Sequence, residues 1–134
     1  MGFTEPNPEL DQIGRLIVDA AYQVHKSLGP GLLESVYEVC FCHELIKRGL
    51  HVQRQVVLPV VYDGIQFDEG LQLDVLVEEL VICELKACDS HPVHLAQLLS
   101  HLALAHKRLG YLINFHTPLI KDGIKRVVRS TRTQ

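Results

Sequence analysis

The sequence predicts an α/β domain: a mixed β-sheet flanked by helices, with a central β-hairpin and a β-α-β crossover. Three observations predict it. Two runs on either side of residue 79 alternate apolar and polar residues with the period of two that strands require. Stretches before and after them carry apolar residues at helical spacing instead. One of those helical stretches lies between two strand-like runs, the arrangement that joins parallel neighbours.

The chain has 134 residues, the length of one domain with a substantial core. We read 1–134 as that single domain, with residues 1–8 as an N-terminal arm and 130–134 as a flexible tail. Hydrophobic residues make up 47%, which excludes a disordered chain. The net charge of −3 gives no global pull toward nucleic acid, so such binding would need a local basic surface. The opening residues lack the basic start and apolar run of a secretory signal, and no apolar run approaches a membrane span. Both point to the cytoplasm and away from a membrane. Cys40, Cys42, Cys83 and Cys88 form no Cys-x-x-Cys pair and sit in apolar surroundings, so they read as reduced, mostly buried small hydrophobes.

Asn7 reads as an N-cap, with Pro8 at the first helical position and Glu9 in the first turn. The helix runs to about Ser27, with Ile13, Leu16, Ile17, Ala20, Val24 and Leu28 as its core stripe. Gly29-Pro30-Gly31 breaks it. A second helix spans about 32–48, with Leu33, Val36, Cys40, Phe41 and Leu45 inward and Gly49 as its stop. Glu34 and Tyr37 are neighbours three apart in its first turns, a common pairing of a helix-start acid with a half-buried tyrosine. The Gly-Pro-Gly break would let this helix start pack closely on another element. Residues 55–62 read as a strand with Pro59 at an edge or bulge. Asp63-Gly64 is a hairpin signal into 65–67, and Asp68-Glu69-Gly70 reads as the turn into the central hairpin.

In that hairpin, 70–88, matching the two apolar rows sets Val77 opposite Val81, Val75 opposite Cys83 and Leu73 opposite Leu85. The same register sets Asp74 opposite Glu84 and Gln72 opposite Lys86, leaving Glu78, Glu79 and Leu80 as the loop. Two facing carboxylates repel, and one of their pKa values rises unless a cation sits between them. A metal resolves the conflict. Oxygen-only ligands favour Mg2+ or Mn2+, which keep waters and bridge to phosphates. Lys86, on the same face as Glu84, can polarise an attacking water or neutralise charge on a phosphate. A solvated sheet face with a surface acid and a Glu–Lys pair fits the same spacing, but Leu76 and Ile82 on that face weigh against it.

Asp89-Ser90-His91-Pro92 reads as the capped start of a third helix, which continues to about Arg108 and ends at Gly110. Residues 111–115 form a buried strand, parallel to that of Glu84 through a right-handed crossover. His94, Gln97 and His101 share a helix face. Gln97 can reach the carboxylates, although an exposed polar stripe has the same spacing. His94 and His101 are two turns apart, on the order of 10 Å, too far to share an ion. His91 and His94 share one only if both face a cleft, so these histidines read as solvated or capping. The stretch 121–129, a short strand or extended arm, holds the densest basic cluster: Lys121, Lys125, Arg126 and Arg129. Each can contact phosphate, and each also fits an ordinary surface.

The run Leu28-Gly29-Pro30-Gly31-Leu32-Leu33-Glu34-Ser35-Val36-Tyr37 resembles the signature of the GxxExxY family, a branch of the PD-(D/E)XK, or restriction-endonuclease-like, nuclease superfamily. The resemblance continues through Asp74, Glu84-Leu85-Lys86, Ala96-Gln97-Leu98-Leu99 and Leu112-Ile113-Asn114-Phe115 to Lys125-Arg126-Val127-Val128. It implies a restriction-endonuclease-like core in which Asp74 and Glu84 hold magnesium, Lys86 assists the attacking water, and Glu34 completes the metal shell. Gln97 would be the helix-borne polar partner. Where similar sequences often carry a tyrosine four residues after the glutamine, this one has His101.

The resulting expectation is a Mg2+- or Mn2+-dependent nuclease hydrolysing phosphodiester bonds in nucleic acid. The rival is a non-catalytic module that keeps the fold and binds protein or nucleic acid. The complete set of acids and the lysine favours the first, and the acidic total favours the second. A nuclease active as a homodimer or with a protein partner fits both.

Overall fold

A computed structural model describes residues 8–130. Helices α1 (Pro8–Leu28) and α2 (Glu34–Lys47) precede strands β1 (Val52–Tyr62), β2 (Ile65–Val77) and β3 (Val81–Lys86). Helix α3 (Pro92–Ala105), β4 (Leu109–Asn114), a 3-10 turn (Ile120–Gly123) and β5 (Ile124–Val128) follow. The sheet order is β1-β2-β3-β4-β5, with β3 and β4 parallel and the other neighbours antiparallel. The mixed sheet and the β3-α3-β4 crossover match the expectation. The Asn7 cap, the rest of the arm and residues 131–134 lie outside the described residues.

Two cores sandwich the sheet. On one face α1 and α2 pack Ile13, Ile17, Val24, Tyr37 and Phe41 against Val75, Cys83 and Leu85. On the other, Leu98 and Leu102 of α3 cover Leu73, Leu76, Ile82 and Leu112. Strands covered on both sides need apolar residues throughout, which is why Val81 to Leu85 and Leu109 to Ile113 are buried without alternation.

Leu73 departs from the expected pleat. It sits with α3, whereas Val75 and Val77 face α1 and α2, so the row Leu73-Val75-Val77 changes face at Asp74. Opposite Asp74 on β1 is Gln55, in left-handed backbone conformation at φ 51°. A left-handed residue cannot continue the pleat, so both strands shift their side-chain parity there. The β2–β3 ladder correspondingly runs only over Val77↔Val81, Leu76↔Ile82 and Val75↔Cys83. The expected loop of Glu78, Glu79 and Leu80 is observed, whereas the pairings Asp74–Glu84 and Gln72–Lys86 do not form as ladder rungs.

Other boundaries also move. Asp68-Glu69-Gly70 is no turn: β2 runs through it, and these three residues stand against Pro59 alone as a bulge. Gly70 is needed there, because a Cβ would collide with the Leu58 carbonyl. Asp63 and Gly64, at φ 56° and 74°, make the expected tight hairpin. Helix α3 stops at Ala105 because His106 takes the left-handed cap position at φ 58°. Gly110 lies inside β4, where a Cβ would press on Leu98 and Leu102. Cys88 is exposed rather than buried. Among the described residues no helix is long and apolar enough to cross a membrane.

In α2 the inward residues are Tyr37, Glu38, Phe41, Cys42 and Leu45, while Leu33 and Val36 are exposed. Tyr37 sets this rotation. It is fully buried, stacks on Phe115 at 4.5 Å, donates its hydroxyl proton to the Gly29 carbonyl at 2.5 Å and accepts from the Leu32 amide at 3.1 Å. One side chain thus ties the Gly-Pro-Gly loop to the end of β4 and fixes where Glu34 begins its helix. Tyr37→Phe, which keeps the stack and loses both hydrogen bonds, is expected to cost about 1–2 kcal/mol. Tyr37→Ala is expected to cost about 3–5 kcal/mol, both measured by urea denaturation.

Candidate active site

The break in the pleat makes room for Asp74. Beyond the last rung of the ladder the Leu85 amide would lack a partner on β2, and Asp74 Oδ2 accepts its proton at 2.8 Å. A side chain thereby takes over a backbone acceptor's task and brings the carboxylate between β2 and β3. Glu84 follows from β3, buried on the α3 face of the sheet, and Lys86 lies two residues further on, where the strand emerges. Lys86 Nζ donates to Gln97 Oε1 at 3.3 Å, so the contact Gln97 makes here is with the lysine rather than with the carboxylates it was expected to reach.

Electrostatics report the same convergence. Burial and the neighbouring charges of Glu84, Glu34 and Glu38 push the Asp74 carboxyl up to about 7, against a smaller opposing effect of the Leu85 amide. Glu34, at the start of α2, is also raised, first by desolvation; Lys86 pulls it down, and Glu38 and Glu84 push it up. Glu34 therefore stands within electrostatic range of the other three. Burial and the like charges of Lys86 and His91 lower the pKa of His94.

Two further residues, His101 and Glu38, adjoin the site. His101, expected among solvated histidines, is buried, and its Nδ1–H donates to Glu84 Oε2 at 3.0 Å. A carboxylate can only accept, which places that proton on Nδ1. Glu38, buried on α2 one turn after Glu34, accepts from Arg54 Nε at 2.9 Å and from Gln55 Nε2 at 2.7 Å. Gln72, expected opposite Lys86, instead donates to Gln55 Oε1 at 2.5 Å. Glu38 thus holds the side chain of the left-handed residue that breaks the pleat. The sequence signal for it was the i, i+4 spacing from Glu34.

The four basic residues of 121–129 do not form one patch. Lys125 lines a cavity of about 160 Å³ together with Lys86, His94 and Asn114. Arg126 lies toward α1 and bonds Asp11 at 3.3 Å. Arg129 Nε donates to the Lys107 carbonyl at 3.0 Å, and Lys121 borders a separate cleft against α1. A short strand alternates its side chains between faces, so contiguity in sequence separated them in space.

Asp74, Glu84 and Lys86 are brought to the point where strands β2 and β3 part. The family model of the PD-(D/E)XK nuclease superfamily matches residues 11–127. The chain belongs to that superfamily. No curated protein and no solved structure matches it. The α/β sandwich with its five-stranded mixed sheet is accordingly the restriction-endonuclease-like fold of this superfamily.

PD-(D/E)XK nucleases generally use divalent metals, and the donor set here fits one in part. Asp74 and Glu84 are oxygen donors whose conflict, visible in the raised Asp74, a hard cation would relieve. Their bonds to Leu85 and His101 occupy Oδ2 and Oε2, leaving Oδ1 and Oε1 outside these contacts. Among the described residues no three His, Cys, Asp or Glu side chains are close enough together to hold an ion. A cation at this place would be held by these two carboxylates, with waters filling its shell, as Mg2+ accepts.

Two outcomes follow. The unfolded chain releases the Asp74 proton near its ordinary value of 3.8, while the folded protein keeps it up to about 7. Stability of the metal-free protein should therefore fall as pH rises through that window. Thermal melts across the window should show a decline that Asp74→Asn removes and added Mg2+ offsets, with the Mg2+ effect growing toward the alkaline end. His101→Ala leaves a buried carboxylate oxygen without its donor and should cost about 1–3 kcal/mol in urea denaturation.

Proposed function

We propose that this chain is a metal-dependent nuclease that hydrolyses phosphodiester bonds in nucleic acid, with Asp74 and Glu84 as the Mg2+ or Mn2+ ligands. The observation that carries the reading is the half-buried Asp74 carboxylate, which bonds the Leu85 amide next to the buried Glu84 where β2 and β3 part, and whose pKa is raised by burial and by Glu84, with Lys86 two residues beyond Glu84 on β3. Such a concentration of negative charge costs stability, and a site that meets a cation and a phosphate has a use for it. When bound, the ion supplies a water of lowered pKa and neutralises charge developing on the phosphate.

The chain's own residues then divide the remaining work. Lys86 orients the attacking water or meets the charge on a non-bridging phosphate oxygen. Gln97 holds that amine in place from α3. His101 fixes the Glu84 carboxylate, a task that orients a ligand without touching substrate. Glu34 stands at the exposed mouth of the site, where it can accept a proton from water or from a hydrated ion. Lys125, across the small cavity from Lys86, is the basic residue of 121–129 best placed to contact an adjoining phosphate. Gly31, Glu34 and Tyr37 support assignment to the GxxExxY branch, with Tyr37 as the residue that shapes the loop. Free cysteines are compatible with a cytoplasmic setting.

A non-catalytic binding module is the second reading, favoured by the absence of a three-residue ligand set among the described residues. Labelled single- and double-stranded DNA and RNA, incubated with Mg2+, Mn2+ or chelator, separate the two. Metal-dependent cleavage reduced roughly 100-fold or more by Asp74→Ala and by Lys86→Ala would establish the enzyme. Folded protein that cleaves nothing under any of these conditions, yet retains nucleic acid on a filter, would establish the module instead.

A further inference from the structure

The outer part of the β1–β2 hairpin projects beyond the sheet. Residues 65–74 of β2 pair with β1 alone, since β3 joins only from Val75 onward. A two-stranded ribbon without a third strand or a covering element is marginal in water, yet all of residues 61–70 are exposed. Its side chains are not those of a solvated ribbon. Val61, Tyr62, Ile65 and Phe67 are 64%, 72%, 55% and 42% exposed, the largest apolar groups of the arm. Its charge is one-sided as well: Asp63, Asp68 and Glu69 are the only charges between Gln55 and Leu71. An acidic, apolar arm is repelled by nucleic acid and suits a basic, apolar pocket.

The chain carries such a pocket. Between α1 and the segment 118–121 lies a cleft of about 540 Å³, with Tyr22 and Leu119 as exposed apolar lining. Lys26, Lys121 and Arg48 stand around it, the last also bonded to Glu44, and Asp19 is the single acid. The arm leaves the sheet at its β1 edge, whereas the cleft opens beside the connection between β4 and β5. The match is therefore between copies.

We propose that the β1–β2 arm of one copy docks into the α1 cleft of a second copy of this chain, apolar tip against Tyr22 and Leu119, acids against Lys26 and Lys121. The contact is heterologous, arm to cleft. One arm in one cleft is at the small end of specific interfaces, so association is concentration-dependent rather than obligate. Nothing in this inference depends on whether the Asp74 site cleaves nucleic acid.

Sedimentation of the full chain over the micromolar range tests it. The unmodified protein should self-associate reversibly. Asp68→Lys with Glu69→Lys on the arm, or Lys26→Glu with Lys121→Glu in the cleft, should each raise the dissociation constant by about tenfold or more, because like charges then face each other. Mixing the two double variants offers only complementary pairings between unlike copies, and should restore association in a one-to-one complex. Restoration also shows that both variants are folded, and far-UV circular dichroism checks each alone. Tyr62→Ser, which changes no charge, should weaken association in the same direction. An unmodified protein that stays monomeric, variants that associate as well as the parent, or a mixture that remains dissociated would each overturn the proposal.

Discussion

The hydrogen bond from the Leu85 amide to the Asp74 carboxylate is the contact on which the site depends. A regular antiparallel ladder would have satisfied that amide with a backbone carbonyl and carried Asp74 past Glu84 as an ordinary cross-strand neighbour. Instead β2 and β3 separate after Val75 and Cys83, and the carboxylate enters the gap. The separation originates on the far strand, where Gln55 adopts a left-handed conformation and both strands change side-chain parity. The same event moves Leu73 to the α3 face and so contributes to the second core. Fold and candidate chemistry are thus set by one irregularity.

The acids in this region are kept together by two different devices. Glu38 and Glu84 are buried with hydrogen-bond donors, Arg54 and Gln55 for the first and His101 for the second. Asp74 accepts from the Leu85 amide, and its carboxyl rises to about 7, first through burial. Burial first, and then the charge of Glu84, raise the Asp74 carboxyl, an upward push that a nearby cation would oppose. Lys86 bonds Gln97 of α3.

Two residues of the Gly31-x-x-Glu34-x-x-Tyr37 run stand in contrasting surroundings. Tyr37 is buried between the loop it bonds and the Phe115 ring it stacks on, so its environment is that of a core residue with a satisfied hydroxyl. Glu34, one turn earlier, stays exposed and electrostatically coupled to the site. The helix that joins them turns a packing constraint into a position for an acid. His101 occupies a comparable place on α3, where a ring nitrogen stands behind Glu84.

The sequence by itself determined the helices, the Asp63-Gly64 and 78–80 turns and the parallel β3–β4 pair, while it left 121–129 open between a short strand and an extended arm. Alternation gave β2 and β3 and the loop of Glu78, Glu79 and Leu80, because a period of two fixes which rows face each other near the turn. Proline, glycine and helical spacing gave α1, α2 and α3 to within a few residues, and the intervening helix made β3 and β4 parallel. The register that grouped Asp74 with Glu84 and Lys86 in the sequence is not the one formed: the ladder ends at Val75 and Cys83, and Asp74 meets β3 through the Leu85 amide instead. What the tertiary structure decided were the places where regular geometry stops. The parity change at Gln55 and Asp74, the bulge of 68–70 against Pro59 and the left-handed cap at His106 depend on contacts between segments, which a local period does not encode. The rotation of α2 that buries Tyr37 and exposes Leu33 could not be read from a helix with apolar residues on both faces. The burial of His101 against Glu84 and the scattering of Lys125, Arg126 and Arg129 also follow from which face of the sheet each element covers, and that is settled only when both cores close.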